Sequence, residues 1–246
     1  MYPHIDSDKC KDCKLCEKVC PILVRDSQIR RNSYKGIYAG RLHDAKLLHE
    51  SSSGGAFYAF AQWIIAEGGV VVGAAYNDRC EVFHGFAETL EDCKKFRGSK
   101  YVQSQIEGVY KRTKDILKAG RKVLFTGTPC QVAGLKLYLR KVYTNLYTMD
   151  LVCHAVPSPK IFKDFKEYAE KKIGVRISAI SMRDKAVREW LEPFSYRYHA
   201  DSGKSMVDPP QVVRWDCLYF SQYKLQRARS SFIAAIFALV YTTSEQ

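Results

Sequence analysis

Four cysteines near the start of the chain are the residues best placed to do chemistry. Cys10, Cys13, Cys16 and Cys20, with Pro21 behind them, follow the spacing Cys-x2-Cys-x2-Cys-x3-Cys-Pro. That run is the bacterial ferredoxin pattern for a [4Fe-4S] cluster. Cysteines two residues apart in a tight loop can each aim a thiolate at one corner of a cubane. Structural zinc usually takes two separated Cys-x2-Cys pairs instead. In two-cluster ferredoxins the fourth cysteine of such a run ligates the other cluster, and this chain has no second run. Two arrangements follow. Either Cys10, Cys13 and Cys16 share a cluster with a ligand from elsewhere and Cys20 serves another, or all four hold one cluster.

A second candidate lies in "KVLFTGTPCQVAGL" (122–135), where an apolar run meets Thr126-Gly127-Thr128-Pro129-Cys130 and then helical sequence. A strand turning into a helix there presents backbone N–H groups at the helix N-terminus, a seat for phosphate. A plain strand-to-helix turn has the same sequence. "SSSGGAF" (51–57) sets hydroxyls and two glycines before a helix, suiting a phosphate or flavin contact or a simple cap. "RGSKY" (97–101) sets basic residues around a small pair and suits either an anion clamp or a solvated loop. Cys130 sits in the 126–130 turn and Cys153 ends an expected strand before His154. Both fall at element ends, on the side where open parallel sheets bind ligands, and both are candidate cluster ligands or redox thiols. Cys80, Cys93 and Cys217 have no partner at ligand spacing.

The elements that must position these residues alternate. Helices are expected over 56–67, 106–120, 129–141 and 158–172. Strands are expected over 70–76, 81–88 (as a hairpin mate), 122–127, 146–154, 177–183, 193–200 and 204–208. Gly68-Gly69 and Gly120 close two of the helices. Residues 22–50 suggest irregular structure or a short hairpin. Alternating strands and helices mean α/β. We expect a mixed sheet preceded by an N-terminal ferredoxin-like [4Fe-4S] module.

The 246 residues are 46% hydrophobic and 26% charged, as in globular proteins, but carry a net charge of +13. The basic residues form no arm or long run and no nucleic-acid motif is present, so the charge suits an acidic protein partner. Residues 1–9 lack the basic-then-apolar pattern of a secretory signal. Paired Cys-x2-Cys spacing without a signal argues for metal binding in a reducing, cytoplasmic compartment. The most apolar stretch, "SSFIAAIFALVYTT" (230–243), falls short of the roughly 20 residues a membrane span needs.

"SSSGGAFYAFAQWIIAEGGVVVGAAY", "FRGSKYVQS", "KVLFTGTPCQVAGLKLYL", "LYTMDLVCHAVPSPKIFKDF" and "SMRDK" follow one another in this order. Together they resemble the coenzyme F420 hydrogenase/dehydrogenase beta-subunit family, which includes plant and cyanobacterial pigment reductases, over about residues 1–208. The resemblance implies an iron–sulfur flavoprotein oxidoreductase: an α/β mixed-sheet flavin-binding domain over 41–208, preceded by a partial N-terminal ferredoxin-like [4Fe-4S] module and linker over 1–40 and followed by an atypical tail over 209–246. Its [4Fe-4S] clusters would pass electrons to or from FAD, between a ferredoxin-like donor or coenzyme F420 and a two-electron acceptor. It implies Ser52, Ser53, Gly54, Gly55, Lys100, Tyr101, Thr126, Gly127 and Thr128 at the flavin, and Cys130 and Cys153 as ligands of a cluster beside it. The implied partners are a ferredoxin-like or other electron-transfer protein and hydrogenase/dehydrogenase-type subunits. Two other classes stay open: an electron-relay subunit with clusters and no flavin, and an inactive fragment.

The same resemblance bears on the ends. Family members often carry a full two-cluster module before "SSGG", and "YPHIDSDKCKDCKLCEKVCP" is similar to its second half. The family usually continues beyond residue 208 to a cysteine pair, where this chain has Cys217 and an apolar tail. The expectation is a chain truncated or altered at both ends, with 232–241 packing poorly.

Overall fold

In a computed structural model, residues 5–24, 38–153, 156–185, 187, 195–207, 212 and 240–242 are described. Most of residues 209–246, including the apolar stretch 232–239, and His154 lie outside them.

The apolar runs set the first sheet. "VLFTG" forms β3 (Val123–Gly127), and all five of its residues are buried. A strand buried on both faces belongs at the centre of a parallel sheet. Accordingly, β3 lies between β1 (Val70–Tyr76) and β4 (Leu146–Asp150), parallel to both. β2 (Val82–Ala87) returns antiparallel on the outer side of β1, as the expected hairpin mate. The order β2-β1-β3-β4 is extended by a short antiparallel strand, β8 (Val240–Thr242), on β4.

Alternation along these strands divides the core. Val72, Val123 and Phe125 pack against α5 (Val109–Lys118) and α6 (Pro129–Leu139). Val71, Leu124 and Met149 pack against α3 (Ala56–Ala66), with Cys93 of α4 (Leu90–Cys93) on the same side. Helix α5 buries Val109, Thr113 and Leu117, four residues apart and so on one face.

The later strands do not join this mixed sheet. β5 (Ile177–Asp184), β6 (Ser195–Ala200) and β7 (Ser205–Val207) make a separate antiparallel sheet. It buries Ile177, Ile180, Met182, Tyr196 and Tyr198 against Phe162 and Phe165 of α7 (Pro159–Ile173). The two sheets share a core through Cys80, Val82 and Val102, and Tyr76 donates its hydroxyl to the Ile180 carbonyl at 3.1 Å. Helix α7 starts with Pro159 after the Ser158 cap and ends at Gly174, whose φ is 73°. Ser158 Oγ accepts the Ile161 N–H at 3.3 Å. We expect Ser158→Ala to lower stability by about 1 kcal/mol in urea unfolding, the usual cost of losing a cap.

Short helices fall where none was expected, α2 (Ala45–His49) and α4 among them. α2 is capped by Asp44, which accepts the Leu47 N–H at 2.8 Å. α4 is capped by Thr89, which accepts the Asp92 N–H at 3.1 Å. Both caps are visible in the sequence, but neither is followed by an apolar run long enough to mark a helix. β4 is shorter than expected and stops at Asp150. Leu151 turns back to donate its N–H to the Gly127 carbonyl at 3.1 Å, and the chain then leaves the sheet with Leu151 and Val152 exposed. Cys153 therefore follows the strand rather than ending it. Among the described residues no helix is long and apolar enough to cross a membrane.

Candidate functional site

Cys10 and Cys13 lie on an irregular loop that leads into α1 (Leu15–Lys18); Cys16 lies in α1 and Cys20 follows it. Asp12 and Lys14, on either side of Cys13, have φ of 45° and 56°. Left-handed backbone at non-glycine residues is uncommon. Here it turns the chain on both sides of Cys13, and Cys10, Cys13 and Cys16 are exposed while Cys20 is half-buried. Among the described residues no three Cys, His, Asp or Glu side chains converge as a metal-ion site. The donor set fits an iron–sulfur cluster: four thiols at the required spacing, outside the core packing. Metal binding and local folding are coupled at such sites.

The remaining candidates gather at one end of the first sheet. β1, β3 and β4 end together at Tyr76, Gly127 and Asp150, and Gly127 pairs with Asp150. Cys130 and Cys153 both follow these ends and both are exposed. Helix α3 runs into β1 through a short turn, so its start at Gly55 lies at the same end. Lys100 Nζ lies 5.9 Å from the ring of Tyr76, the last residue of β1. All three glycine-containing stretches thus lie at the end where open α/β sheets bind ligands.

Within that edge, several predicted groups are already engaged. Gly54 accepts the Leu42 N–H at 2.9 Å, and a Cβ at Gly54 would stand 2.6 Å from the Gly40 carbonyl oxygen. Gly55 has a φ of 82°, and a Cβ there would collide with the Leu42 side chain. Both glycines therefore have a packing reason to be glycine. Ser52 and Ser53 are half-buried, and Ser99 Oγ donates to Ser52 Oγ at 3.4 Å. Lys100 donates to the carbonyls of Lys95, Arg97 and Gly98 at 3.1, 2.9 and 3.3 Å, and burial pushes its pKa down to about 7. Tyr101 is 41% exposed.

The 126–130 turn is tied down by a network with no signature in the sequence. Thr126 is buried and donates its hydroxyl to the Val72 carbonyl at 2.8 Å. His84 Nε2 lies 3.0 Å from the Thr126 carbonyl, which can only accept, so Nε2 carries the proton. Nδ1 then accepts from the Ser104 hydroxyl at 2.8 Å, and Ser104 Oγ accepts from Gln131 Nε2 at 2.8 Å. Gln131 Oε1 in turn accepts the Thr128 N–H at 2.9 Å. Burial lowers the His84 pKa and keeps the ring neutral, as this chain of bonds requires. Pro129 has no N–H, and the amides of Gln131 and Val132 return to the Thr128 carbonyl at 3.0 Å. A phosphate at this helix start would meet chiefly the Cys130 N–H, fewer donors than the sequence suggests. Thr128 Oγ1 lies 3.1 Å from Cys130 Sγ. Gly127 is buried, and a Cβ there would meet Gln131 Oε1 at 2.9 Å. A lone histidine in "EVFHGFAE" gives no spacing that would link it to Ser104 and Gln131. Cys80 and Cys93 are buried thiols that burial pushes up to about 12 and about 11, which suits packing rather than redox chemistry.

A cavity of about 240 Å³ lies between the serine loop, residues 98–99 and the second sheet. Ser51, Ser52, Ser99, Ser181, Arg183 and Lys185 line it, together with Glu50, Asp184 and Arg197. It joins "SSSGG", "RGSKY" and "SMRDK", stretches that the sequence keeps far apart. Lys185 is buried and makes the join: its ammonium donates to the carbonyls of Leu48, His49 and Ser51.

Residues 120–221 match the family described as the C terminus of the beta subunit of coenzyme F420 hydrogenase/dehydrogenase, and residues 2–25 match a 4Fe-4S binding domain. The first match takes in Thr126–Thr128, Cys130, Cys153 and Arg183–Lys185, whereas the serine–glycine loop lies before it. No curated protein matches the chain. Among solved structures, a chain of the F420-reducing [NiFe] hydrogenase complex from Methanosarcina barkeri is 23% identical, with a TM-score of 0.47. The alignment covers 73% of this chain and 63% of that one, so this chain spans less than two thirds of that relative's length.

Proposed function

We propose that this chain, which carries a 4Fe-4S binding domain and the C-terminal domain of the coenzyme F420 hydrogenase/dehydrogenase beta subunit, is an iron–sulfur flavoprotein oxidoreductase. It passes electrons between a ferredoxin-like donor or coenzyme F420 and a two-electron acceptor. The observation that carries this reading is the gathering of Ser52–Gly55, Lys100–Tyr101, Thr126–Thr128, Cys130 and Cys153 at the edge where β1, β3 and β4 end. FAD, when bound, supplies the exchange between one-electron and two-electron steps.

The chain's own residues divide the work. Cys10, Cys13 and Cys16 hold the N-terminal cluster, and Cys20 is its fourth ligand or serves another cluster. Ser52 and Ser53 offer hydroxyls, and Gly54 and Gly55 bring backbone close, at the start of α3. The His84–Ser104–Gln131 network holds the 126–130 turn rigid, which fixes where Cys130 stands. Cys130 and Cys153 supply two thiols at the same edge for a second cluster. The surplus of basic residues suits an acidic electron-transfer partner or sister subunit.

A second reading, an electron relay with clusters and no flavin, draws support from the donors at Lys100, Thr126 and Thr128 that are spent inside the protein. An absorption spectrum of anaerobically purified chain separates the two. We expect flavin bands together with a broad cluster shoulder. A cluster shoulder without flavin, persisting after incubation with FAD, would leave the relay. Gly127→Val is a poor probe of the flavin, because its side chain would meet Gln131 first.

A further inference from the structure

We propose that the cavity bounded by Ser51–Ser52, Gly98–Ser99 and the end of β5 is an anion site that takes a phosphate or pyrophosphate group. Its charge, donors and size favour such a group whether or not the chain holds a flavin.

The lining is net positive. Arg183, Lys185 and Arg197 outnumber Glu50 and Asp184. Both acids already have a cation. Asp184 takes Arg197 through Nε and Nη2 at 2.6 and 3.2 Å, and Glu50 takes Arg97 at 2.8 Å. The cations crowd one another: burial, then Arg183 and Arg97, lower the Lys185 pKa to about 8. An anion in the cavity relieves that repulsion.

The donors suit phosphate oxygens. Lys185 spends its ammonium on three carbonyls, so it contributes field rather than hydrogen bonds, and it fixes the Ser51–Ser52 wall. The hydroxyls of Ser52, Ser99 and Ser181 and the guanidinium of Arg183 provide direct contacts, the combination that recognises phosphate. The volume sets the size of the group. About 240 Å³ lies below the roughly 300–1,000 Å³ of a pocket that buries a whole drug-sized ligand, so the cavity takes one charged group rather than a dinucleotide.

The group has two possible sources, the cofactor's pyrophosphate or a phosphorylated second reactant. Inorganic pyrophosphate is the probe. Full-length chain, stripped of any bound flavin, is titrated calorimetrically at low ionic strength. We expect saturable binding at one site per chain. Arg183→Gln weakens it by about tenfold or more. Glu50→Gln, which removes a repelling carboxylate from an exposed position, tightens it. If FAD displaces pyrophosphate and riboflavin does not, the site belongs to the cofactor. If FAD and pyrophosphate bind together, it belongs to a phosphorylated reactant. Saturable pyrophosphate binding in a chain that takes up no flavin keeps the site and overturns the flavin reading. No saturable binding, or binding that neither folded variant changes, overturns the site.

Discussion

Cys13→Ala should strip most of the iron and acid-labile sulfide from anaerobically purified protein while leaving the folded body intact. Cys13 is the second thiol of the run and sits between two left-handed residues. The loss should be local. None of residues 5–24 belongs to the three hydrophobic clusters that hold the sheets and helices together. Thermal unfolding followed by circular dichroism should therefore give a midpoint close to that of the parent chain. Unchanged iron in the variant would remove Cys13 from the ligand set, and stoichiometric zinc in the parent would remove the cluster altogether. Cys20→Ala, measured alongside, separates the two arrangements of the run. A loss as complete as that of Cys13→Ala means one cluster held by all four thiols. Retained iron means that Cys20 serves elsewhere.

How much of the molecule was legible in the sequence depends on the range of each interaction. Strands β1 and β3 are readable because buried parallel strands are continuous apolar runs. Helix α7 is readable because Ser158, Pro159 and Gly174 mark its ends within one chain segment. The second sheet is not readable as separate. The strands 177–207 look like any others, and only the packing of Ile180 and Tyr198 on Phe162 and Phe165 assigns them to their own layer. The site follows the same rule. Cysteine spacing is local and shows at once. The role of Lys185 is not, because its partners at Leu48, His49 and Ser51 lie more than a hundred residues away. His84, Ser104 and Gln131 form one polar chain from three elements, and no local pattern connects them. The phosphate seat at 126–130 shows the reverse case. The strand–glycine–helix order is real, but the backbone donors it promises are largely taken up by Gln131 and by the helix's own carbonyl.

Gly54→Ala should have the largest effect of any single methyl group at the proposed flavin edge. The new Cβ would stand 2.6 Å from the Gly40 carbonyl oxygen and 3.6 Å from Arg41 Cα. Both are backbone atoms, so no rotamer change relieves the clash. The chain cannot simply separate, because the Gly54 carbonyl accepts the Leu42 N–H at 2.9 Å and that bond joins the same two segments. Forcing extra volume into a packed site costs about 1–3 kcal/mol. The displacement falls on the segment that carries Ser51 and Ser52, two walls of the cavity. Flavin retention should therefore fall together with stability. Gly120→Ala is the control for backbone strain. Its φ is 82° and its Cβ would meet nothing, so it bears only the left-handed penalty of about 1–2 kcal/mol. Ser158→Ala is the control for stability alone, since its cap lies on α7. Fluorescence titration with FAD at a temperature where all three variants are folded decides the matter. Weaker binding by about tenfold in Gly54→Ala, against little change in Ser158→Ala, ties the loop to the flavin. Equal affinity in all three would leave Gly54 a packing glycine and take the serine–glycine loop out of the cofactor site.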